Sequence, residues 1–585
     1  MKLLKYLSFI LLSLTLIVGC SDEEENVVLA PEISGVESKY TILENEVLEL
    51  SPLIANDNQS VYSWFVDGKV VATTLKFTFI PANPGEYKLI FKAENQGGID
   101  TIEITVTVIA LGEPPVMTGL EDEYEIEVDE ALQLIPFVVS DTDVTYSWLL
   151  NDEETGSDAE YLFVSSDPGI LTLVLKVENR GGVTEKEIKI VVTPKPTTLS
   201  VESSALLYIE APDYAQNAET INWSVLEAES DLYRLSYADT KSPVFVAVDE
   251  GEYKLSIEAD GIIGEIIVTV GKRNSESLPY ITQVFDYMPG VGQFTNKLPA
   301  YKEGDTQADM NAKVLEAIGK GNSSMITLGG YGGYAVVGFD HTITNVKGKR
   351  DFRVYGNAFY AAANPDKDAP EGGSCEPGII MVAYDKNKNG VPDDDEWYEI
   401  AGSAHENHTL EPWYNKAVDA GNDVNFYFND YELTYYKPES EPADKSEWDT
   451  YIRWEDNKGN SGYKVKNQFH NQPYYPLWAE GDKITFKGSR LPENGVDESG
   501  QGNYYVLYKF QYGYADNETN LKDDSAIDID WAVDSEGRKV HLPGVDFIKV
   551  YTGVNQENGW LGENSTELSK IEDLHLLGVD IETRK

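Results

Sequence analysis

The segment DKNKNGVPDDDEW, Asp385 to Trp397, sets oxygen-bearing side chains at alternate positions and closes on a glutamate. Asp385, Asn387, Asn389, Gly390 and Glu396 fit the spacing D-x-[DN]-x-[DN]-G-x5-E of a calcium loop. In such a loop the oxygens at the first, third and fifth positions converge on one point, and a glycine permits the sharp turn that follows. The carbonyl of Val391 would face inward, Asp393 would hold a bridging water, and Glu396 would close the shell with two oxygens. Hard oxygen donors without histidine or cysteine favour structural Ca2+. A solvated acidic turn and a catalytic metal are the competing readings. The flanks, GIIMVAYD and WYEIAG, read as strands, so the loop is set into a sheet rather than between the paired helices of an EF-hand.

Other groups with chemical potential are weaker. HENH, His405 to His408, lacks the two-residue gap of a zincin helix, and SAHENHTLEPW reads as a surface loop. A soft ion or a corrin cobalt is the alternative use of those histidines. Cys375 in GGSCEPG has no histidine nearby in sequence and no nucleophile-elbow glycines. Carboxylates are so abundant that no pair stands out for glycoside hydrolysis. These readings point away from an enzyme.

Aromatic residues instead crowd glycine- and proline-flanked segments: Tyr331 and Tyr334 in GGYGGY, Tyr355 and Phe359 in VYGNAFYAA, Trp397 and Tyr398 after the acidic loop. Trp413 and Tyr414 in EPWYN and Tyr474, Tyr475 and Trp478 in QPYYPLW continue the set. GGYGGY has no following Gly-Lys-Ser and so is no phosphate loop. Aromatic faces on loops suit a large, partly flat ligand such as a sugar ring or a corrin.

The elements that must carry these residues are strands. Asp+Glu number 100 against Lys+Arg 46, and the net charge of -54 repels phosphate backbones, which excludes nucleic acid as a partner. A chain of 585 residues exceeds one core, so several domains are expected. Cys20 and Cys375 are the only cysteines. MKLLKYLSFILLSLTLIVGC has a basic start, an apolar run too short to span a bilayer, and a small residue before Cys20. It is expected to be a signal (1–19) cut at a lipobox, with Cys20 lipidated and 20–30 serving as an acidic tether.

A repeat follows. PEISGVESKYTI at Pro31 returns as PVMTGLEDEYEI at Pro115, VYSWFVDG at Val61 as TYSWLLND at Thr145, and NPGEYKLIFKAENQGG at Asn83 as DPGILTLVLKVENRGG at Asp167. The offset, 84 residues, marks a duplicated domain of short alternating strands, 31–112 and 113–195. INWSV and DEGEYKLSIEADG carry the same landmarks into a third copy, 196–272, which ends in the polar GKRNSES. Trp64 and Trp148 are expected in the sandwich cores. All six histidines lie beyond residue 340, in a C-terminal domain spanning 276–585. One helix is expected there, in DTQADMNAKVLEAIGKG, among many β-branched and aromatic strands. The fold class is therefore all-β: three tandem sandwiches serving as a stalk, then a large jelly-roll-like β-sandwich with one helix.

YSW followed by PGEYKLIFKAEN resembles PKD and other immunoglobulin-like modules of bacterial surface proteins. SDEEE, Ser21 to Glu25, resembles the acidic tag that routes Bacteroidetes lipoproteins to the outer face of the outer membrane. GGYGGYAVVGFDHTI, EPGIIMVAYDKNKNGVPDDDEWYEIAGS and IDWAVDSEGRKVHLPGVDFIKVYTGV look like the C-terminal domain of Bacteroidetes cell-surface lipoproteins with PKD-like N-terminal modules. That group is similar to proteins encoded beside TonB-dependent cobamide (vitamin B12) transporters. The resemblance implies a lipid-anchored surface protein that binds a cobamide and hands it to such a receptor. A glycan-binding or adhesive surface protein is the alternative, and a glycoside hydrolase a third.

Overall fold

The computed structural model describes residues 28–110, 112–140, 142–273, 276–361 and 369–583. The signal, Cys20 and the acidic tag lie outside the described residues. Two compact units result, divided between Thr193 and Pro194. Among the described residues no helix is long and apolar enough to cross a membrane.

The first unit holds the two copies. In the first, Lys39–Leu43, Gly98–Ile109, Gly85–Asn95, Val61–Val66 and Lys69–Ala72 form one five-stranded sheet in that order. Lys39–Leu43 runs parallel to its neighbour, and short pairs such as Leu48–Leu50 with Phe77–Phe79 make the facing layer. Alternation decides the core: Leu89, Phe91 and Ala93 point inward from one strand, Ile104 and Val106 from the next, all 0 % exposed. Trp64 lies among them, fully buried, and its indole N–H donates to the carbonyl of Thr74 at 3.1 Å.

The second copy repeats this to the atom. Trp148 is fully buried and donates to the carbonyl of Asp158 at 3.0 Å. Asn95 and Asn179 brace equivalent hairpins, each accepting from the two glycine amides that follow at 2.7 and 3.1 Å. The duplication read from sequence is thus a duplication of contacts, because the residues kept at the same offset are the ones that satisfy buried polar atoms.

The third sandwich, with Trp223 in its core, pairs Thr197–Glu202, Ile262–Gly271, Gly251–Ala259 and Ile221–Glu227. It belongs to the second unit rather than to a free stalk. Arg234 reaches from it to the carbonyl of Asn345 at 3.1 Å and to the carboxylate of Asp530. Tyr384 donates to the hydroxyl of Tyr208 at 2.9 Å, Thr344 to the carbonyl of Ser204 at 3.1 Å, and Leu206 and Tyr237 pack on the C-terminal core.

That core is organised by a six-stranded antiparallel sheet. Its strands are β1 (Gln283–Met288), β2 (Tyr334–Thr344), β3 (Gly378–Ala383), β4 (Trp397–Ile400), β5 (Ala532–Val533) and β6 (Gly544–Thr552), ordered β1-β2-β6-β3-β4-β5. Strand β6, VDFIKVYT after its glycine, is flanked on both sides, and Val545, Ile548 and Val550 are at most 1 % exposed. Smaller sheets surround this one, including Ser461–Lys464, Ile452–Asp456, Tyr427–Tyr436 and Lys483–Arg490. The layout is thus one large sheet with several satellites.

Among the described residues there are three α-helices where one was expected. α1 (Gln307–Ile318) begins with Thr306 and Asp309 in a reciprocal capping box and stops at Gly319. It buries Met310, Val314 and Ile318 against the sheet. α2 (Ser403–Asn407) lies in the stretch SAHENHTLEPW read from sequence as a loop, and α3 (Tyr414–Ala420) directly follows it. They are too short to show helical periodicity and are held by packing rather than propensity.

Arg234→Ala should loosen the third sandwich from the C-terminal domain, because it removes a guanidinium that is 11 % exposed while leaving Asp530 behind. The expected cost is about 2 kcal/mol in urea unfolding of the second unit, with faster amide exchange confined to residues 197–271. Unchanged exchange there would show that the joint is held elsewhere.

Candidate functional site

The aromatic residues singled out from sequence do not gather at one surface. Tyr331 and Trp413 are 0 % exposed, Tyr474 1 % and Tyr475 2 %. Tyr331 donates to the carbonyl of Ser489 at 3.2 Å and meets Tyr431 edge-on; the indole N–H of Trp413 donates to the carbonyl of Lys509 at 2.9 Å. These four are core residues and cannot contact a ligand here. Trp478 is stacked on Tyr287 and Tyr301 and hydrogen-bonded to Gln307. Tyr334 donates to Asp286 at 2.6 Å and Tyr355 to Glu572, each under a lysine ammonium. Trp397 and Tyr398 are half-buried in β4, and Tyr414 packs on His408. Phe359 alone of the set is well exposed, at 58 %.

The glycines explain the misreading. Gly332 holds a φ of 82°, and a Cβ on Gly333 would sit 1.9 Å from the amide of Gly290 and from the carbonyl of Leu328. GGYGGY is a close crossing of backbones that drives Tyr331 into the core.

The acidic loop folds as its spacing demands. Gly390 takes a φ of 76° and Lys388 one of 59°. Asp385 accepts from the amides of Asn389 at 3.0 Å and Gly390 at 2.8 Å, and Asn387 and Asn389 each donate a side-chain N–H to Asp393, at 2.6 and 2.8 Å. Glu396, 7 % exposed, accepts from the amides of Lys386 and Asp393 at 3.0 and 3.3 Å. Asp385, Asn387, Asn389, Asp393, Glu396 and the Val391 carbonyl thus lie on one loop whose oxygens also cap its own backbone. That donor set suits Ca2+.

His405 lines a pocket of about 710 Å3 at the β4–β5 edge of the sheet, together with Phe426, Phe428, Tyr512, Trp531 and Lys539. Phe426 and Phe428 sit edge-on to the imidazole at 4.9 and 5.6 Å, and Tyr512 lies 5.1 Å from Trp531. Arg350 stacks over Trp531 at 5.2 Å while donating to the carbonyls of Asp523 and Ala526. Both imidazole nitrogens are engaged: Nδ1 accepts from the amide of Gly402 at 3.1 Å, which leaves Nε2–H to donate to Glu399 at 2.7 Å. His405 is therefore a fixed wall rather than a metal ligand. Cys375 is fully buried, and burial pushes its thiol far above the ordinary range, which removes it as a nucleophile.

Sequence reasoning missed this pocket's lining. The alternation in NFYFND puts Phe426 and Phe428 on one side of a strand, which was the available signal. Trp531 and Tyr512 reach the pocket from remote segments and gave none.

Residues 31–95 match the PKD-like domain family. Among solved structures, an I-band fragment from titin is similar at 13 % identity over 42 % of this chain and 98 % of its own, with a TM-score of 0.18. The fibronectin(III)-like modules of Clostridium thermocellum CbhA are similar at 16 % identity over 28 % of this chain and 94 % of theirs, with a TM-score of 0.15. Among curated proteins no relative matches.

Glu399 is 2 % exposed and receives hydrogen bonds from His405, Ser489 and Tyr551. Glu399→Ala should strand those donors and destabilise the second unit by about 3 kcal/mol. His405→Ala should lower its melting temperature while leaving any Co2+ or Zn2+ uptake unaltered. Loss of metal binding in His405→Ala, read by calorimetry, would contradict the wall assignment.

Proposed function

We propose that this is a lipid-anchored protein of the outer-membrane surface whose C-terminal domain captures a cobamide and passes it to a TonB-dependent receptor. The PKD-like and immunoglobulin-like modules are of the surface or adhesive type, and the lipobox at Cys20 with its acidic tag supports the address. The observation that carries the ligand reading is the pocket of about 710 Å3 walled by Phe426, Phe428, Tyr512 and Trp531, with Arg350 and Lys539 beside them. A cobamide offers a flat macrocycle to aromatic edges and an anionic phosphate to Lys539, while Arg350 is held by the Asp523 and Ala526 carbonyls and by Asp524. Burying about 300 Å2 of apolar surface there contributes roughly 7 kcal/mol before ordering costs. The walls are preorganised by hydrogen bonds on His405 and Arg350, which keeps those costs low. The reading is of binding without turnover: the candidate nucleophile is buried and the candidate base is held on both nitrogens.

Calorimetric titration of the intact protein with cyanocobalamin should show binding, and Trp531→Ala or Phe428→Ala should weaken it by about tenfold or more. Tyr331→Phe, in the core, should leave it unchanged. No heat with several cobamides, alongside binding to a glycan array, would promote the adhesive reading.

Structural Ca2+ in the Asp385 to Glu396 loop completes this proposal. Stabilisation by a bound ion amounts to about 2.7 kcal/mol at a hundredfold excess over Kd. Asp385→Ala should therefore lower the melting temperature of the second unit in calcium and leave it unaltered in chelator. A loop variant that melts like its parent in both conditions would leave only an acidic turn.

A further inference from the structure

A second pocket in the C-terminal domain has a different chemistry. It measures about 390 Å3 and its lining includes Glu376, Glu563, Glu567, Asn558 and Ser565, with Trp560 at its rim. Behind that lining lies Asp516. Glu376, Asp516 and Glu567 bring one carboxylate oxygen each within 4.8 Å of the others. They arrive from three distant segments, and their mutual approach is built by the backbone. Asp516 accepts from the amides of Asn357, Ala358 and Glu567 at 2.6, 2.8 and 2.9 Å. Glu376 accepts from the amide of Ser565 at 3.0 Å, and Glu567 from the hydroxyls of Ser565 and Thr327 at 2.9 and 3.1 Å.

Three acids so placed lack a counter-charge. Among the described residues no lysine, arginine or histidine is ion-paired with any of them, although the same domain pairs Lys509 with Glu518 and Lys464 with Glu557 nearby. Burial, then the negative charge of Asp516, pushes the Glu376 carboxyl up to about 8. Burial pushes Asp516 up to about 7, and burial with Glu376 beside it holds Glu567 far above the carboxylate range. Negative charge on these buried acids is costly without a positive partner.

An independent feature points to a missing occupant. Asn558 is 1 % exposed, lines the same pocket, and has neither its Oδ1 nor its Nδ2 hydrogen-bonded among the described residues. A buried amide with both ends unmet is rare; its Oδ1 lies against Gly495, which leaves Nδ2 as the donor for a group in the pocket.

We propose that Glu376, Asp516 and Glu567 bind a hard divalent cation, Ca2+, at the floor of this pocket, as a site separate from the Asp385 loop. An all-oxygen donor set selects Ca2+ over Zn2+. Ca2+ takes more ligands than three carboxylates supply when each gives one oxygen, so positions remain open on the pocket side. Waters there would meet the amide of Asn558.

The test uses the intact protein stripped with chelator and carrying Asp385→Ala and Glu396→Ala, so that the loop is silent. Calorimetry with CaCl2 should still show a binding site. Adding Glu376→Gln, and separately Asp516→Asn, should weaken that site by more than about tenfold. In chelator, Glu376→Gln should melt no lower than its parent, because it removes repulsion; this separates lost binding from lost folding. A loop-disabled parent that takes up no Ca2+, or a Glu376→Gln variant that binds Ca2+ as its parent does, overturns the proposal.

Discussion

Burying a carboxylate without a counter-charge is the constraint around which the C-terminal domain is arranged. The chain carries a net charge of -54, and a domain of this size cannot keep every acid in water. Several of the acids that go inside take a base. Asp351, fully buried, receives the Nε2 of His575 at 2.8 Å; Asp573 receives His341 at 2.8 Å; Glu399 receives His405 at 2.7 Å. Arg490, 2 % exposed, joins Asp423 and Glu493. Two of these pairs, Asp351 with His575 and His341 with Asp573, tie segments far apart in sequence and so staple the sheet to its surroundings. Such pairs contribute less to net stability than to selecting one arrangement, since breaking either side leaves an uncompensated charge. Glu411, Asp528 and Glu563 are buried without such a pair, and Glu376, Asp516 and Glu567 are the three of that kind that converge on one point.

Histidine was therefore the residue type most easily misjudged. Its confinement beyond residue 340 was plain in the sequence, and it invited a search for catalytic or metal-binding use. The partners that define its role lie up to 232 residues away, as for His341 and Asp573. No spacing rule reaches that distance. The same holds for the acidic pocket, whose members at 376, 516 and 567 share no local pattern. The Asp385 loop was legible because all its donors fall within one turn of chain, where geometry follows from spacing alone.

The modules show the opposite case. The duplication, the strand alternation and both core tryptophans were legible because a β-sandwich writes its period of two into every strand. What the sequence withheld was which surfaces of the modules meet others. Arg234 looks like any exposed arginine until Asp530 and the Asn345 carbonyl are placed beside it. Aromatic density misled in a similar way. Tyrosine and tryptophan serve cores and surfaces alike, and the glycines of GGYGGY signalled close packing of backbones where a flexible binding loop was expected.

The joint between the third sandwich and the C-terminal domain bears on how the acidic loop works. Tyr384, the residue before Asp385, donates to Tyr208 of the sandwich, and the ammonium of Lys388 lies 3.3 Å from the centre of the same Tyr208 ring. Asp385 in turn donates its amide to Asp546 at 2.7 Å, on the central strand β6. One face of the loop is thus held by the sandwich and the other by the sheet. Asp546 is largely buried, and burial raises its carboxyl above the usual range. A cation in the loop would add positive charge beside Asp546 and favour its ionised form, the stronger acceptor for the Asp385 amide, at the point where the sandwich meets the sheet. The loop then acts on the joint through its position, without any need to open or to do chemistry.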